Sequence, residues 1–340
     1  MKQGLPVIAI SMGDPAGVGP EIILKALKDS RVSTKCSPVI LGDYGILKET
    51  SARLGLDCPL VSIDTLAQLT EGNEIPVLSL SAIEGLKTGE VSADAGRAAG
   101  IYISTGAELA LKGAIDALVT APINKESFNM GGFDYPGHTE FLAKLTKTKD
   151  YAMMLMGERL RVVLLTIHCP LMSVAERLSV EDTLRIIRLT DRSLRNDFGL
   201  QSPRIALASL NPHAGEGGLF GQEEAELLLP AAQQAREKGV DITDPLPADT
   251  LFYKALRGDY DAVVCPYHDQ ALIPLKMIHF EDGVNITLGL PIIRTSPDHG
   301  TAFDIAGRGI ASPESLISAI LTAVDMLKAR KCRNKGVADG

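Results

Sequence analysis

The chain alternates short apolar runs with longer stretches of helical periodicity, and this alternation limits the folds open to it. Residues 7–11, 39–41 and 117–120 read as buried strands, whereas residues 44–54 and 93–112 read as helices. Strands that alternate with helices predict a mainly parallel sheet with helices on both faces, and therefore an α/β fold.

The alternation breaks at Ala121-Pro122-Ile123-Asn124-Lys125, which predicts a crossing into a second lobe. Residues 151–156 and 160–167 are two apolar runs separated by three residues, a pattern typical of a β-hairpin. The second lobe is therefore expected to have a mixed sheet. We predict one lobe from residues 1–122 and 296–335 and the other from residues 123–295.

Composition excludes several classes of protein. The formal net charge of −8 and the lack of a basic stripe argue against a nucleic-acid partner. Five cysteines without a C-x-x-C pair argue against a disulfide framework and favour a reducing cytoplasm. No apolar run is long enough to span a membrane, and the first one, which stops at Met12, is too short for a signal sequence. We expect a cytoplasmic protein.

Three predicted strands run into a histidine. The strands at residues 160–167, 204–209 and 261–267 precede His168, Asn211-Pro212-His213 and His268. A single histidine beside a strand is more often a structural hydrogen-bonding residue, but strands of one sheet bring their ends to a common edge. Three neutral imidazoles suit a divalent metal and leave a coordination position open for substrate. The residues alone leave both interpretations open.

Two acids stand close to these histidines in sequence. Glu216 follows His213 by three residues and Asp269 follows His268 directly. A metal-bound imidazole usually donates its second N–H to a carboxylate or carbonyl oxygen. We therefore expect Glu216 and Asp269 to accept hydrogen bonds from the two histidines.

A glycine-rich turn, residues 13–20, follows the first strand and leads into a helix. Such a turn could place a phosphate at a helix N-terminus, but it lacks both the G-x-G-x-x-G spacing and the lysine of a P-loop. We favour a tight turn in which glycine conformations are needed beside a ligand crevice.

A further group of polar residues points to an anionic substrate. His138 and Thr139 stand at a predicted helix start, where backbone N–H groups favour an anion. Lys276, Asn285 and Arg294 lie within otherwise apolar sequence, and charges in such surroundings must be paired or functional. Each alone could be a side chain that extends to solvent, but the three together favour a bound carboxylate or phosphate.

Asp249 lies in the turn-like segment Leu246-Pro247-Ala248-Asp249-Thr250. One interpretation makes it the N-cap of a helix over residues 251–256. The other makes it an acid or base beside the metal.

Six motifs together resemble one enzyme family, that of 4-hydroxythreonine-4-phosphate dehydrogenase in vitamin B6 biosynthesis. They span nearly the whole chain: Gly13-Asp14-Pro15-Ala16-Gly17, Gly137-His138-Thr139-Glu140, Asn211-Pro212-His213-Ala214-Gly215-Glu216, Tyr267-His268-Asp269-Gln270, Gly283-Val284-Asn285-Ile286-Thr287 and Asp298-His299-Gly300-Thr301-Ala302. The resemblance implies a homodimer with active sites between subunits. It implies divalent-metal ligands at His168, His213 and His268, and substrate contacts at His138, Thr139, Lys276, Asn285 and Arg294.

Residues 300–311, Gly-Thr-Ala-Phe-Asp-Ile-Ala-Gly-Arg-Gly-Ile-Ala, are similar to the cofactor loop of β-decarboxylating dehydrogenases that act on isopropylmalate and isocitrate. Those enzymes have two lobes around a cleft and bind NAD or NADP without the G-x-G-x-x-G fingerprint. The similarity implies a cofactor-side first lobe, with a metal- and substrate-binding, dimer-forming second lobe. It places the adenosine half of the cofactor near His299, Gly300, Thr301, Ala302 and Asp304.

The resemblance implies a metal-dependent, NAD(P)-linked oxidation of a CH–OH group with loss of carbon dioxide. Lys276, Asp249 and His138 are the candidates for moving the proton. The metal remains open among zinc, magnesium, manganese and cobalt.

Two classes of four-carbon substrate remain open. The sequence at Asn124-Lys125-Glu126 and at residues 135–143 more closely resembles one branch of the family. That branch acts on D-threonate or D-erythronate 4-phosphate. The alternative substrate is 4-hydroxy-L-threonine 4-phosphate. Two further alternatives are a dehydrogenase for an aromatic cis-dihydrodiol carboxylate and a non-catalytic protein that binds a phospho-acid.

Overall fold

The computed structural model describes residues 4–69 and 72–338, with side chains through residue 333. The chain divides into two compact units by its internal contacts. Unit 1 comprises Met1–Thr148 and Leu290–Leu327, and unit 2 comprises Lys149–Gly289 and Lys328–Gly340. Elements are numbered below in chain order.

Unit 1 contains a fully parallel arrangement of six strands in the order β3-β4-β2-β1-β5-β12. Their bounds are β1 Val7–Ser11, β2 Ser37–Gly42, β3 Leu60–Ile63, β4 Ile75–Ser79, β5 Ala117–Thr120 and β12 Arg294–Pro297. The parallel pairing predicted from the alternation is confirmed. Strand β1 is central, and Ile8, Ala9 and Ile10 are fully buried, as expected for a strand covered on both faces.

Several helices of unit 1 begin at side chains that satisfy their first N–H groups. Asp43 accepts from Ile46 N, Ser92 from Ala95 N and Asn124 from Ser127 N, each as an N-cap. The helices are α1 Gly19–Lys28, α2 Ser30–Ser33, α3 Tyr44–Arg53, α4 Ala93–Leu111, α5 Lys125–Met130, α6 His138–Leu145 and α12, which begins at Glu314 and ends at Ala338.

Residues 123–148 belong to unit 1, although the predicted boundary at residue 122 placed them in the other lobe. Helices α5 and α6 both contact α4. Gly96 on α4 permits this approach, because a Cβ there would overlap the carbonyl oxygen of Ser127. The functional roles assigned to the two lobes remain predictions.

Unit 2 contains a mixed arrangement of six strands in the order β11-β6-β7-β10-β8-β9. The bounds are β6 Ala152–Met156, β7 Arg161–Leu164, β8 Arg204–Ala208, β9 Asp241–Leu246, β10 Ala262–Cys265 and β11 Val284–Leu288. Strands β6 and β7 form the predicted antiparallel hairpin, and β11 is antiparallel to β6, whereas β7, β10, β8 and β9 are parallel. The prediction of a mixed sheet is confirmed.

The helices of unit 2 are α7 Val174–Arg177, α8 Val180–Asp197, α9 Leu229–Glu237, α10 Ala248–Leu256 and α11 His268–Ile278. Helices α10 and α11 contribute Leu251, Ala271 and Leu275 to one buried cluster with residues of β7, β8 and β10. Burial of this kind is worth roughly 25 cal/mol per Å² of apolar surface. The cluster therefore fixes the three strands whose ends carry the histidines.

The cysteines are all free thiols, as predicted. Burial raises the pKa of the Cys265 thiol on β10, whereas Cys332 is exposed. Because the thiolate is the reactive form, we expect an alkylating reagent at pH 8 to label Cys332 in the native chain and to leave Cys265 unlabelled until urea unfolds it. Peptide mass spectrometry distinguishes the two sites, and native labelling of Cys265 would contradict the prediction.

Within the described residues, no helix is long and apolar enough to cross a membrane.

Candidate functional site

The three candidate histidines follow three neighbouring parallel strands of unit 2. His168 comes after β7, His268 begins α11 directly after β10, and His213 follows β8. Strand β10 pairs with β7 on one side and with β8 on the other. The carboxyl ends of all three strands therefore lie along one edge, as the sequence predicts.

Two of the imidazoles lie side by side. The ring centroids of His168 and His268 are 5.7 Å apart. Nδ1 of His268 is 2.7 Å from Oδ1 of Asp269, and Nδ1 of His213 is 2.9 Å from Oε2 of Glu216. Both predicted carboxylate partners are confirmed. A carboxylate that is hydrogen-bonded to Nδ1 fixes the orientation of the imidazole ring. The other ring nitrogen, Nε2, is then the atom that can bind a metal.

His213 lies in a left-handed backbone segment. Residues 213–217 have φ values of 53°, 55°, 79°, 45° and 66°, and three of them are not glycine. Such residues cost on the order of 1–3 kcal/mol each, so the surrounding structure must impose the conformation. Buried Glu224 holds the start of the segment, since it accepts from the backbone N–H (2.7 Å) and the side-chain Nδ2 (3.0 Å) of Asn211.

The donor set has the chemistry of a divalent-metal site, but the described residues of one chain do not bring three ligands together. Neutral imidazoles oriented by carboxylates suit zinc, cobalt or manganese. However, among the residues that the structure describes, no three His, Cys, Asp or Glu side chains lie close enough to hold one ion. His168 and His268 form the close pair, and the side chain of His213 is 64% exposed. The three-histidine site stays a prediction.

The candidate anion-binding residues of unit 1 surround a buried arginine. Arg294, at the start of β12, is 2% exposed, and its Nε and Nη2 lie 3.1 and 2.8 Å from Oγ1 of Thr120 at the end of β5. His138 and buried Thr139 begin α6, as predicted. The ring atom Nε2 of His138 is buried without a hydrogen-bond partner among the described residues. A buried cation near an unsatisfied imidazole nitrogen is the arrangement that an anionic ligand would complete.

Burial shifts the pKa of both groups. Desolvation lowers the pKa of Arg294 to about 9, although Glu140 opposes the shift. Desolvation, with a contribution from Arg294, places the pKa of His138 well below its usual value, although its hydrogen bond to the backbone of Ala121 opposes this. His138 is therefore neutral at pH 7, and the positive charge of the cluster resides on Arg294.

The remaining predicted residues for substrate binding and proton transfer lie in unit 2. Lys276 is on α11, with Nζ 5.5 Å from the centroid of the Phe280 ring, and Asn285 is on β11, paired in register with Leu155. Asp249 is exposed in the first turn of α10, whose N-cap is Pro247. The N-cap interpretation of Asp249 is wrong, because α10 begins at Ala248 and Asp249 already lies in its first turn.

The predicted cofactor loop of unit 1 lies against the glycine-rich turn. The Val18 N–H donates to Thr301 O at 3.0 Å, and a Cβ on Gly17 would be 2.9 Å from Thr301 Cβ. Gly13 has φ 70°, a conformation that favours glycine, as a tight turn at this position requires. Ala302 is left-handed, with φ 43°. His299, Gly300 and Asp304 are exposed and accessible to a ligand.

An ion pair that was not predicted from the sequence holds the far end of this loop, at residues 309–311. Glu21 on α1 is 1% exposed and accepts from the backbone N–H groups of Gly309 (3.1 Å) and Ala311 (2.9 Å). Lys25 donates to Glu21 and to the carbonyl oxygens of the same two residues. The only sequence signal is a Glu–Lys pair four residues apart, which is usually a surface feature. Thr120 and Glu224 were missed as well, because neither motif nor spacing marks them.

Comparison with known proteins identifies close relatives. A family model described as the pyridoxal phosphate biosynthetic protein PdxA matches residues 34–323. A 4-hydroxythreonine-4-phosphate dehydrogenase of Desulfosudis oleivorans is 52% identical over 328 residues, covering 94% of this chain and 96% of its own. A putative D-threonate 4-phosphate dehydrogenase of Oceanobacillus iheyensis is 45% identical over 325 residues, covering 94% of this chain and 98% of its own.

The fold agrees with these relatives. The crystal structure of a 4-hydroxythreonine-4-phosphate dehydrogenase from Klebsiella pneumoniae matches with a TM-score of 0.86 and 45% identity, covering 95% of this chain and 99% of that one. The family model covers most of the chain, and the relatives match it almost end to end. The chain therefore belongs to the family of the pyridoxal phosphate biosynthetic protein PdxA.

Proposed function

We propose that this chain oxidises, with NAD or NADP, a four-carbon hydroxy acid that carries a 4-phosphate, and releases carbon dioxide. The proposed substrate is 4-hydroxy-L-threonine 4-phosphate or D-threonate or D-erythronate 4-phosphate. The names of the relatives carry 4-hydroxythreonine 4-phosphate and D-threonate 4-phosphate. The observation that carries the proposal is the buried Arg294 guanidinium near neutral His138, a site suited to a phosphate or carboxylate. A dehydrogenase of this kind needs a nicotinamide cofactor.

In this proposal, five residues bind the substrate. Arg294 supplies the fixed charge, the first N–H groups of α6 at His138 and Thr139 add hydrogen bonds to the anion, and Lys276 and Asn285 contribute further polar contacts. Because the pKa of His138 is far below its usual value, it acts as a neutral hydrogen-bonding partner and only weakly as a base. Lys276 and Asp249 are then the stronger candidates for moving the proton.

His168, His213 and His268 would hold one divalent ion, Zn, Mg, Mn or Co. When bound, the ion supplies Lewis-acid stabilisation of negative charge on substrate oxygen. The contribution of the chain is to orient the imidazoles of His268 and His213, through Asp269 and Glu216.

A substrate panel tests the proposal directly. The purified protein is mixed with a divalent metal, NAD or NADP, and each candidate acid, including an aromatic cis-dihydrodiol carboxylate, and absorbance at the NADH wavelength is followed. We expect turnover with one of the phosphorylated four-carbon acids. Thermal stabilisation by such an acid without any absorbance change would instead support a non-catalytic binding protein.

In the proposed enzyme, His299, Gly300, Thr301, Ala302 and Asp304 contact the adenosine half of the cofactor. The Glu21–Lys25 pair fixes the far end of the same loop. We therefore expect Glu21→Gln to raise the KM for the cofactor about tenfold, equivalent to about 1.4 kcal/mol, with little change in kcat.

Steady-state kinetics with the cofactor varied separate the two constants in this variant. Glu108→Gln is the matched control, because Glu108 and Lys112 form the same i,i+4 pair on the exposed face of α4. An unchanged KM in Glu21→Gln, or an equal rise in the control, would show that Glu21 does not position the loop.

We propose that the enzyme is a homodimer formed through unit 2. Among the described side chains of this unit, eight large apolar ones are exposed in the single chain: Leu171, Met172, Leu219, Phe220, Tyr253, Ile273, Met277 and Phe280. Contiguous exposed apolar surface marks interaction sites, and within the described residues the single chain leaves the histidine set open.

We expect Met277→Asp, at a side chain that is 81% exposed, to convert dimers to monomers and to abolish turnover. Sedimentation velocity measures the change in mass. Met130→Asp, at an exposed methionine of unit 1, should leave both properties unchanged. A Met277→Asp protein that sediments as the wild type does would contradict this interface.

A further inference from the structure

A second cluster of cations lies at the opposite ends of the strands that lead to the histidines. A cavity of about 290 Å³ in unit 2 is bounded by the turn between β6 and β7, the end of α10 and the start of β10. Three arginines line it: Arg159, Arg161 and Arg257. None of them belongs to the site described above. The cavity is large enough for a small anion with several oxygens.

Arg161 is the central member of this cluster, because its guanidinium is partly buried and incompletely satisfied. Its Nη1 donates to the backbone oxygen of Asp261 at 3.3 Å, and its Cζ lies 5.2 Å from the centroid of the Phe198 ring. The Nε atom is buried and has no hydrogen-bond partner among the described residues. Desolvation lowers the pKa of Arg161, so a positive charge here is not fully compensated by its surroundings.

The carboxylates around the cavity do not neutralise the cluster. Glu158 and Asp261 also line it, so the formal balance is three positive charges against two negative ones. Asp261, however, is already engaged by Arg204, which reaches both of its carboxylate oxygens. Glu158 is exposed and forms no ion pair within the described part of the chain.

The outer two arginines can reach a ligand without breaking ion pairs. The Arg257 side chain donates to the Tyr253 hydroxyl at 3.1 Å, a neutral partner. The Arg159 side chain is exposed and makes no ion pair among the described residues. A guanidinium fork binds two oxygens of one anion at once, which favours an oxyanion such as phosphate over a halide.

We propose that the cavity lined by Arg159, Arg161 and Arg257 is a second anion site, which binds inorganic phosphate or a small phosphate monoester. It is separate from the Arg294 cluster and does not depend on the proposed reaction. Strands β7 and β10 begin at this cavity and end beside His168 and His268, so a ligand here contacts the elements that position two of the proposed metal ligands.

Residue-specific nuclear magnetic resonance with inorganic phosphate as the probe tests the site. In a titration of the full chain at constant ionic strength, we expect the amide resonances of Arg159, Leu160 and Gly258 to shift and to saturate. The double variant Arg159→Gln/Arg257→Gln should weaken this binding at least tenfold. Arg161→Lys, which keeps the charge but loses the planar fork, should weaken it as well.

The matched control is Lys87→Gln/Arg97→Gln, which removes two positive charges from exposed ion pairs of unit 1. It should bind phosphate at the cavity as the wild type does. Any of four results overturns the proposal: no shift at the cavity amides, shifts confined to His138 and Thr139, an equal loss of affinity in the control, or an equal response to chloride. If Arg161→Lys fails to fold, the double variant, whose substitutions are both at exposed side chains, decides the question.

Discussion

Replacing Arg294 by methionine is expected to abolish turnover and at the same time to stabilise the folded chain. The guanidinium is the buried cation proposed to bind the substrate anion, and its loss should lower kcat/KM by at least about a thousandfold, or about 4 kcal/mol. The same charge is held at 2% exposure with a pKa lowered to about 9, so its burial opposes folding. We expect Arg294→Met to raise the free energy of unfolding by about 1–2 kcal/mol at pH 7.

The increase in the free energy of unfolding expected for Arg294→Met should depend on pH in one direction. Below pH 9 the arginine is charged in both the folded and the unfolded chain, so the full cost of burial is present. Above pH 9 the folded state releases the proton while the unfolded state keeps it, and stability therefore increases with pH. The stability advantage of Arg294→Met should thus be constant below pH 9 and decrease above it.

Urea unfolding at several pH values, together with steady-state kinetics, measures both effects of Arg294→Met. Arg294→Lys keeps a positive charge but loses the planar fork, so it should also lose most activity. Thr120→Val removes only the hydroxyl that Arg294 contacts and should reduce activity less than either substitution. A methionine variant that is less stable than the wild type at pH 7 would show that Arg294 serves mainly to support the fold.

Replacing His213 by alanine is expected to remove both metal binding and activity. Three imidazoles are the smallest set that holds a catalytic divalent ion in the proposed site, and Lewis-acid stabilisation is worth several kcal/mol. We expect a loss of kcat/KM of at least about a thousandfold, and the same loss when a chelator strips the wild type. Cobalt titration followed by visible absorbance measures metal binding independently of turnover.

Ala214→Gly provides a matched control in the same loop. Ala214 has φ 55°, a conformation that glycine adopts without strain, and its side chain is no metal ligand. This variant should keep metal binding and turnover and should gain up to about 1 kcal/mol of stability. Full activity of metal-depleted His213→Ala would refute the metal proposal.

The alternation of apolar runs and helices was sufficient to predict the α/β class, because each buried parallel strand leaves a local signal in the sequence. The hairpin β6–β7 was predicted for the same reason. Strand β3 was missed, since it lies at the edge of the sheet and only one of its four residues is buried. Helix α5 was missed because it is a single short helix that follows a proline-containing break.

The sequence alone could predict residues of the candidate site only where the interacting residues are close together in the sequence. His213 and His268 could be identified, together with the acids that hold them, because each pair is local in sequence. Thr120 meets Arg294 across 174 positions, and no pattern connects them. The left-handed conformation of residues 213–217 could not be foreseen either, because three of the five side chains disfavour it.

The order of the strands has a consequence for synthesis on the ribosome. Strand β5 pairs with β12, and β6 pairs with β11, so each unit needs a strand encoded close to the C-terminus. At about 5–20 residues per second, the 174 positions between Thr120 and Arg294 take roughly 10–35 s to translate. During that interval β5 has an unpaired edge made of Ala117, Leu118, Val119 and Thr120. The nascent chain is therefore expected to depend on chaperones late in translation, and slower elongation should lengthen that exposure.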